Sequence, residues 1–164
     1  TDSDAQHMVD DVTVAGKVMR EKYYRVSGKL SLKDAAEWGQ ARILVSADAK
    51  NEYFIALERT AAGKFQIFTM SKANQTGWDK WELILHENNN GTRNSIDFEV
   101  VVIGNKLHFL IDDSVVYSST RVSMTESTVK FTGYNVGTTT VENLSVEVFK
   151  SQQTADAYIA DKNG

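Results

Sequence analysis

Apolar and polar residues alternate most regularly between Ile96 and Ser119. The apolar positions of two successive runs in this stretch are Ile96, Phe98, Val100 and Val102, then Leu107, Phe109 and Ile111. Gly104-Asn105 and Asp112-Asp113 interrupt the alternation, and a Gly-Asn pair suits a short hairpin turn whose twist matches that of the flanking strands. The pattern predicts a three-stranded antiparallel meander, with one face in the core and the other in water.

The same alternation recurs along most of the chain, at the close spacing that is typical of a β-sandwich or β-barrel. We predict strands at 13–19, 23–32, 41–47, 53–59, 65–70, 81–86, 96–103, 106–111, 115–118, 129–135 and 141–149. The only helical signal is a single turn at 31–37, which a capping residue could start. The predicted fold class is therefore all-β: an antiparallel two-sheet β-sandwich of the jelly-roll type, with at most one short helical turn.

Length and composition add a domain organisation and exclude some partners. The chain has 164 residues and a formal net charge of −4, which suits one domain and gives no basic footprint for nucleic acid. No apolar run approaches the roughly 20 residues of a membrane-spanning helix. We predict a single sandwich domain over 1–150 and a C-terminal tail or linker over 151–164. We also predict that this domain belongs to a larger, multidomain protein.

The order of elements resembles the concanavalin A-like lectin and glucanase jelly roll, the superfamily that includes laminin-G-like domains and many carbohydrate-binding modules. Two segments carry the resemblance: the meander at 96–119, with its Gly-Asn turn and Ile-Asp hairpin, and the closing pair of strands at 129–149. Glucanases of this fold carry a Glu-x-Asp-x-(x)-Glu signature on one strand. Here Asp97-Phe98-Glu99 lacks the third carboxylate, and both acids alternate with core residues, so we predict a solvated pair without a catalytic role.

Aromatic residues in polar loops are the candidate ligand contacts, because sugar rings need a flat apolar platform surrounded by amide, carboxylate or guanidinium groups. Trp78 has such surroundings in its own loop, Trp38 could be a platform or a lid at the end of the sandwich, and Tyr134-Asn135 form a second polar and aromatic pair. Trp81, in phase with Leu83 and Leu85, is predicted to be a core residue. The predicted ligand-binding residues are Trp78, Trp38, Asn74, Asp79, Arg42, Tyr134 and Asn135.

No cofactor is predicted, and the sequence has no cysteine for a thiolate metal site. A structural calcium ion is compatible with the resemblance, because domains of this kind often bind calcium through oxygen ligands from separate loops. The oxygen ligands available for it are Asp112-Asp113, Asp48 with Asn51, and Asp10-Asp11.

The function predicted from these features is that of a non-catalytic carbohydrate-binding or adhesion module of a larger extracellular or cell-surface protein of a bacterium, with a polysaccharide or glycan as its partner. Two alternatives remain open. One is a glycoside hydrolase or lyase of the same fold that works through atypical acids such as Glu37, Asp79 or Glu82. The other is a structural spacer or protein-interaction domain, because one fold hosts many functions.

Overall fold

The computed structural model describes residues 17–19, 21–48, 51–72, 82–119 and 127–163. These residues form nine strands and one helix. The elements are β1 (Lys17–Met19), β2 (Tyr23–Asp48), β3 (Asn51–Ala61), β4 (Lys64–Lys72), β5 (Glu82–Gly91), β6 (Ser95–Ile103), β7 (Lys106–Ile111), β8 (Ser114–Ser119), β9 (Ser127–Val148) and α1 (Gln152–Asn163). No helix in these ranges is long and apolar enough to cross a membrane.

Two long strands, β2 and β9, run through both sheets of the sandwich. The second half of β2 lies between β3 and the first half of β9 in sheet I, whose strand order is β5-β4-β3-β2-β9-β1. The first half of β2 lies between β6 and the second half of β9 in sheet II, whose order is β8-β7-β6-β2-β9. Every pair is antiparallel, which confirms the predicted all-β sandwich.

A single apolar core lies between the two sheets, built from alternate positions of their strands as the period of two requires. Phe98 of β6 and Phe131 of β9 meet there, with ring centroids 5.8 Å apart. The predicted meander is confirmed, since all seven of its apolar positions are buried in this core. Its second turn is also confirmed: Asp112 and Asp113 have φ of 51° and 71°, the left-handed values of a tight hairpin.

The predicted helical turn at 31–37 is wrong, because these residues belong to β2. Ser31 and Lys33 pair with Thr140 and Thr138 of β9, so the strand ladder satisfies backbone groups that a helical turn would have used internally. The register shifts between Ala35 and Gln40, and Trp38 within the shift has a φ of 66°. This irregularity marks the passage of β2 from sheet II to sheet I, where the sequence suggested two separate strands.

The C-terminal segment forms a helix, where a tail or linker was expected. Ser151 caps it: its Oγ accepts a hydrogen bond from the Thr154 backbone N–H at 3.1 Å. Ala155 and Ile159 are buried against the outer face of sheet II, in a cluster with Val101, Ile103, Leu110 and Phe149. The helix therefore packs on the sandwich, while the division into a domain over 1–150 and a connecting segment after it stays a prediction.

Candidate functional site

A row of polar side chains crosses the outer face of sheet I. Gln40 of β2 is opposite Glu58 of β3, and Glu58 is opposite Gln66 of β4. The Gln40 amide nitrogen donates to Oε2 of Glu58, and the Gln66 amide nitrogen donates to Oε1, each at 2.5 Å. Glu58 is only 6% exposed, and the two amide hydrogen bonds fix the orientation of its carboxylate. We call these three residues the polar row.

Arg42 extends the polar row along β2. Its Nε donates to Oε1 of Gln40 at 2.7 Å, so the Gln40 amide is held on both sides, by a cation and by a carboxylate. The Arg42 guanidinium also lies over the ring of Phe54, 4.7 Å from its centroid, in cation–π geometry. The row and Arg42 thus form one hydrogen-bonded network in which each planar group orients the next.

An apolar cluster lies beside the polar row on the same outer face. Phe54, Ala56 and Phe68 form it, with Leu44 and Met70 packed against them. The two phenylalanine rings meet edge to face, 6.2 Å apart, and each residue is 3% exposed. Because they are buried, these rings support the polar side chains and offer no open stacking platform.

A cavity of about 330 Å³ lies near one end of the sandwich. It is lined by Leu32, Lys33, Ala35, Arg59, Phe65 and Asn94, from the bend of β2, the β3–β4 hairpin and the loop before β6. Arg59 donates from Nη1 to the Ala35 carbonyl at 2.8 Å and from Nε to the Ala61 carbonyl at 3.2 Å. Main-chain carbonyls therefore hold its guanidinium. We call this space the end cavity.

The polar row and the end cavity adjoin each other along the chain. Glu58 of the row directly precedes Arg59 of the cavity, and Phe65 of the cavity directly precedes Gln66 of the row. Because successive strand residues point to opposite faces, the row belongs to the outer face of sheet I and the cavity to its inner side. Trp38, between Ala35 and Gln40, marks the same end.

Three of the predicted binding residues come together at this end of sheet I. Trp38 lies in the bend of β2 and is 52% exposed. Arg42 is half-buried in the network described above. The backbone of Tyr134 is opposite Gln40 in the β2–β9 register, and Asn135 follows it. Tyr134 is therefore a neighbour of Trp38 and Arg42 in the sheet, although it is distant from both in sequence.

The other predicted contacts fall outside the described residues. Trp78, Asn74 and Asp79 lie there, as does Trp81, so their roles stay predictions. The strand register pairs Leu83 with Met70 and Leu85 with Phe68. Met70 and Phe68 belong to the outer apolar cluster.

Sequence reasoning missed Gln40, Glu58, Gln66, Arg59 and Lys33. Glu58 and Gln66 occupy polar positions within predicted strands, and Gln40 directly precedes one. This placement was the only feature of the sequence that pointed to them. Their convergence depends on the pairing register, which brings residues 18 and 8 positions apart into hydrogen-bond contact. The sequence alone does not specify that register.

The acidic pair on β6 has two different environments. Asp97 is exposed, as predicted. Glu99 is not solvated: it is 8% exposed, accepts a hydrogen bond from Arg25 Nε at 2.7 Å and another from the Tyr158 hydroxyl. Helix α1 covers Glu99, and because that helix was not predicted, the prediction of a solvated carboxylate is wrong for this residue. Among the atypical acids, Glu37 is exposed beside Trp38, while the side chains of Asp79 and Glu82 lie outside the described part.

Of the acids proposed to bind calcium, Asp112 and Asp113 lie in a turn that the structure describes fully, and both form ion pairs with cationic side chains. Arg93 donates to both carboxylate oxygens of Asp112, one of them at 2.9 Å, and Lys162 pairs with Asp113 at 2.8 Å. Calcium at this turn would have to compete with these two ion pairs, and its binding there stays a prediction. Within the described ranges no group of three or more potential ligands could hold a metal. The carboxylates of Asp48, Asp10 and Asp11 lie outside the description, and calcium there stays a prediction.

Comparison with known proteins gives structural relatives only. No family model matches the sequence, and no curated protein matches it. Carbohydrate-binding module CBM66 from Bacillus subtilis is 13% identical, with a TM-score of 0.52 over 77% of this chain and 75% of that one. An alginate lyase from Alteromonas sp. 272 is 10% identical, with a TM-score of 0.55 over 79% and 73%. CG-16, a homodimeric agglutinin from chicken liver, is 9% identical, with a TM-score of 0.52 over 82% and 97%.

These likenesses extend over most of each chain at identities that establish the fold alone. They agree with the two-sheet architecture and with the strand pattern that first suggested it. The chain therefore has the jelly-roll fold of the concanavalin A-like lectins, carbohydrate-binding modules and lyases.

Proposed function

We propose that this chain is a non-catalytic carbohydrate-binding module that binds glycan on the outer face of sheet I, at the end marked by Trp38. The observation that carries the proposal is the polar row, in which a carboxylate lies between two amides and a guanidinium extends the network. Sugar hydroxyls both donate and accept hydrogen bonds, and such planar groups match them in pairs.

Preorganisation is the physical advantage of this network. Glu58 is 6% exposed and orders the two glutamine amides. The half-buried Gln40, Gln66 and Arg42 present the polar groups that would meet sugar hydroxyls. The side chains are already ordered by one another, so binding loses less rotamer entropy than it would on a flexible surface. Trp38 supplies a partly exposed aromatic face at the edge of the row, suited to the apolar face of a sugar ring.

The remaining predicted contacts complete this proposal. Trp78, Asn74 and Asp79 would contribute a second aromatic and polar group from the segment between β4 and β5, and Tyr134 with Asn135 would contribute from β9. The proposed setting is a multidomain protein outside a bacterial cell or on its surface. Relatives of this fold include a carbohydrate-binding module and an agglutinin, which supports a carbohydrate ligand.

A second candidate is a polysaccharide lyase or glycoside hydrolase, which the similarity to an alginate lyase favours. In such an enzyme the buried carboxylate of Glu58 would be the first group to examine. A spacer domain without ligand would be favoured by burial of all three tryptophans, whereas Trp38 is half exposed.

Affinity electrophoresis against plant, microbial and host polysaccharides tests the proposal. We expect retardation of the wild type, loss of about tenfold in affinity for Glu58→Gln, and no change for Glu142→Gln, a matched carboxylate that is exposed on β9 of sheet II. Each polysaccharide that binds is then incubated with the protein and assayed for new reducing ends and unsaturated uronates. Their appearance would indicate an enzyme, and binding without them a non-catalytic module. A blank result with every polymer would rule out carbohydrate binding.

A further inference from the structure

The end cavity is lined by positive charge that no described carboxylate balances. Lys33 and Arg59 both line it, while the other lining residues are the neutral Leu32, Ala35, Phe65 and Asn94. Neither cation forms an ion pair with a carboxylate whose side chain the structure describes. The chain as a whole has a net charge of −4, so the cavity is a local exception to the overall charge.

Arg59 is held in a way that presents donors to the cavity. Its contacts to the carbonyls of Ala35 and Ala61 use Nε and one hydrogen of Nη1. Both hydrogens of Nη2 and the second one of Nη1 have no partner among the described residues. A guanidinium with fixed geometry and adjacent unused N–H groups matches a planar carboxylate or a sulfate, which it binds through two parallel hydrogen bonds.

The size and the apolar part of the cavity limit the ligand to a small unit. A volume of about 330 Å³ is at the lower end of the range for ligand sites. Phe65 and Leu32 give one apolar wall, and Asn94 adds an amide that donates and accepts. This combination suits one ring that has both C–H faces and hydroxyls, and that carries an anionic substituent.

From these observations we infer that the end cavity is an anion-selective subsite for an acidic saccharide, in which Arg59 and Lys33 bind the carboxylate of a uronic acid residue or the sulfate ester of a sulfated sugar. The inference rests on the proposed function, in that it takes the ligand to be a saccharide. It adds a second site, separate from the polar row, and a charge class for the glycan.

The experiment compares polymers that differ only in charge. Binding of the wild type is measured by affinity electrophoresis in gels that contain polygalacturonate, its carboxyl-reduced neutral form, dextran sulfate or dextran. We expect retardation by at least one charged polymer to exceed that by its neutral partner, and to weaken as salt is raised. The carboxylate and sulfate arms identify which anion is preferred.

Three variants locate the effect. Arg59→Gln is expected to lower affinity for the preferred charged polymer about tenfold and Lys33→Gln by a smaller factor, with little change for neutral polymers. Lys64→Gln removes an exposed lysine from the same hairpin and should have no effect. If Arg59→Gln unfolds, Lys33→Gln still provides the test, because Lys33 is exposed and we expect its substitution to leave the fold intact.

The outcomes separate this inference from the proposed function. Equal retardation by charged and neutral polymers, or equal loss with Lys64→Gln, would overturn the anionic subsite. If neutral polymers bind the wild type but not Glu58→Gln, and Arg59→Gln changes nothing, the proposed function stands and the subsite does not exist. Binding of no polymer at all would remove both.

Discussion

At the scale of single residues, Trp38 has an unfavourable backbone conformation for its side chain. A φ of 66° costs a residue with a Cβ roughly 1–2 kcal/mol relative to right-handed conformations, and glycine avoids this cost. Such strain in an exposed aromatic residue suggests a functional reason for its position. We expect Trp38→Gly to be about 1 kcal/mol more stable than Trp38→Ala in chemical denaturation, while both lose glycan affinity. Equal stability of the two variants would contradict the strained bend.

His108 gives a second prediction at this scale. Burial lowers the pKa of His108 below its ordinary value of 6.5, and the charge of Lys106 lowers it further, whereas Asp156 of α1 acts in the opposite direction. As pH falls below about 6.5, the unfolded chain therefore binds a proton that the folded chain does not, and folding stability decreases. Thermal melts between about pH 7 and pH 5 should show this decrease. His108→Gln should flatten it, and an unchanged slope would contradict the assignment.

At the scale of elements, helix α1 is fixed to sheet II by a network around Tyr158. The Tyr158 hydroxyl donates to Glu99, and the cations of Arg25 and Lys162 each lie 5.2 Å from the Tyr158 ring centroid. Arg25 also bridges Glu99 and Glu147, at 2.7 and 3.1 Å. Together with the burial of Ala155 and Ile159, this network holds the helix against the outer face of sheet II.

The same network predicts how the helix responds to alkaline pH. Burial, the hydrogen bond to Glu99 and the charge of Glu99 raise the pKa of Tyr158 above its ordinary value of 10.0, and these effects outweigh that of Arg25. Above about pH 10 the unfolded chain releases a proton that the folded chain retains, so stability decreases as pH rises. Tyr158→Phe keeps the ring and should show a flatter decrease between about pH 9 and pH 11 in thermal melts. Identical slopes for both proteins would contradict this role.

The elements also show what the sequence could predict. Strands with strict alternation, such as β6 and β7, were predictable, because one buried face imposes the period of two. The continuity of β2 through Trp38 was not, since a bend with a register shift interrupts the alternation. Helix α1 was missed because only two of its residues, Ala155 and Ile159, are buried, too few to set up a helical pattern of apolar positions. The cap formed by Ser151 with Thr154 was its one local signal.

At the scale of the whole molecule, the candidate site depends on pairings between distant parts of the chain. Trp38, Arg42 and Tyr134 could be selected from the sequence as aromatic and polar candidates. The polar row could not, because it exists only when β2, β3 and β4 adopt their observed register. The end cavity likewise needs the bend of β2 and the β3–β4 hairpin to meet near Asn94. The candidate site at this end of the sandwich thus depends on how the strands pair, which the sequence pattern does not specify.

The shared strands predict that the two sheets unfold together. β2 and β9 are hydrogen-bonded to each other in both sheets. Unfolding of one sheet therefore disrupts two strands that the other sheet also uses. We expect Ile55→Ala in sheet I and Leu107→Ala in sheet II, both fully or almost fully buried, to cost about 2–5 kcal/mol each. In native-state hydrogen exchange, each variant should accelerate the slowest amides of both β3 and β7 by the same factor, because these amides open only in global unfolding. Acceleration confined to the strand that carries the substitution would show that the sheets open independently.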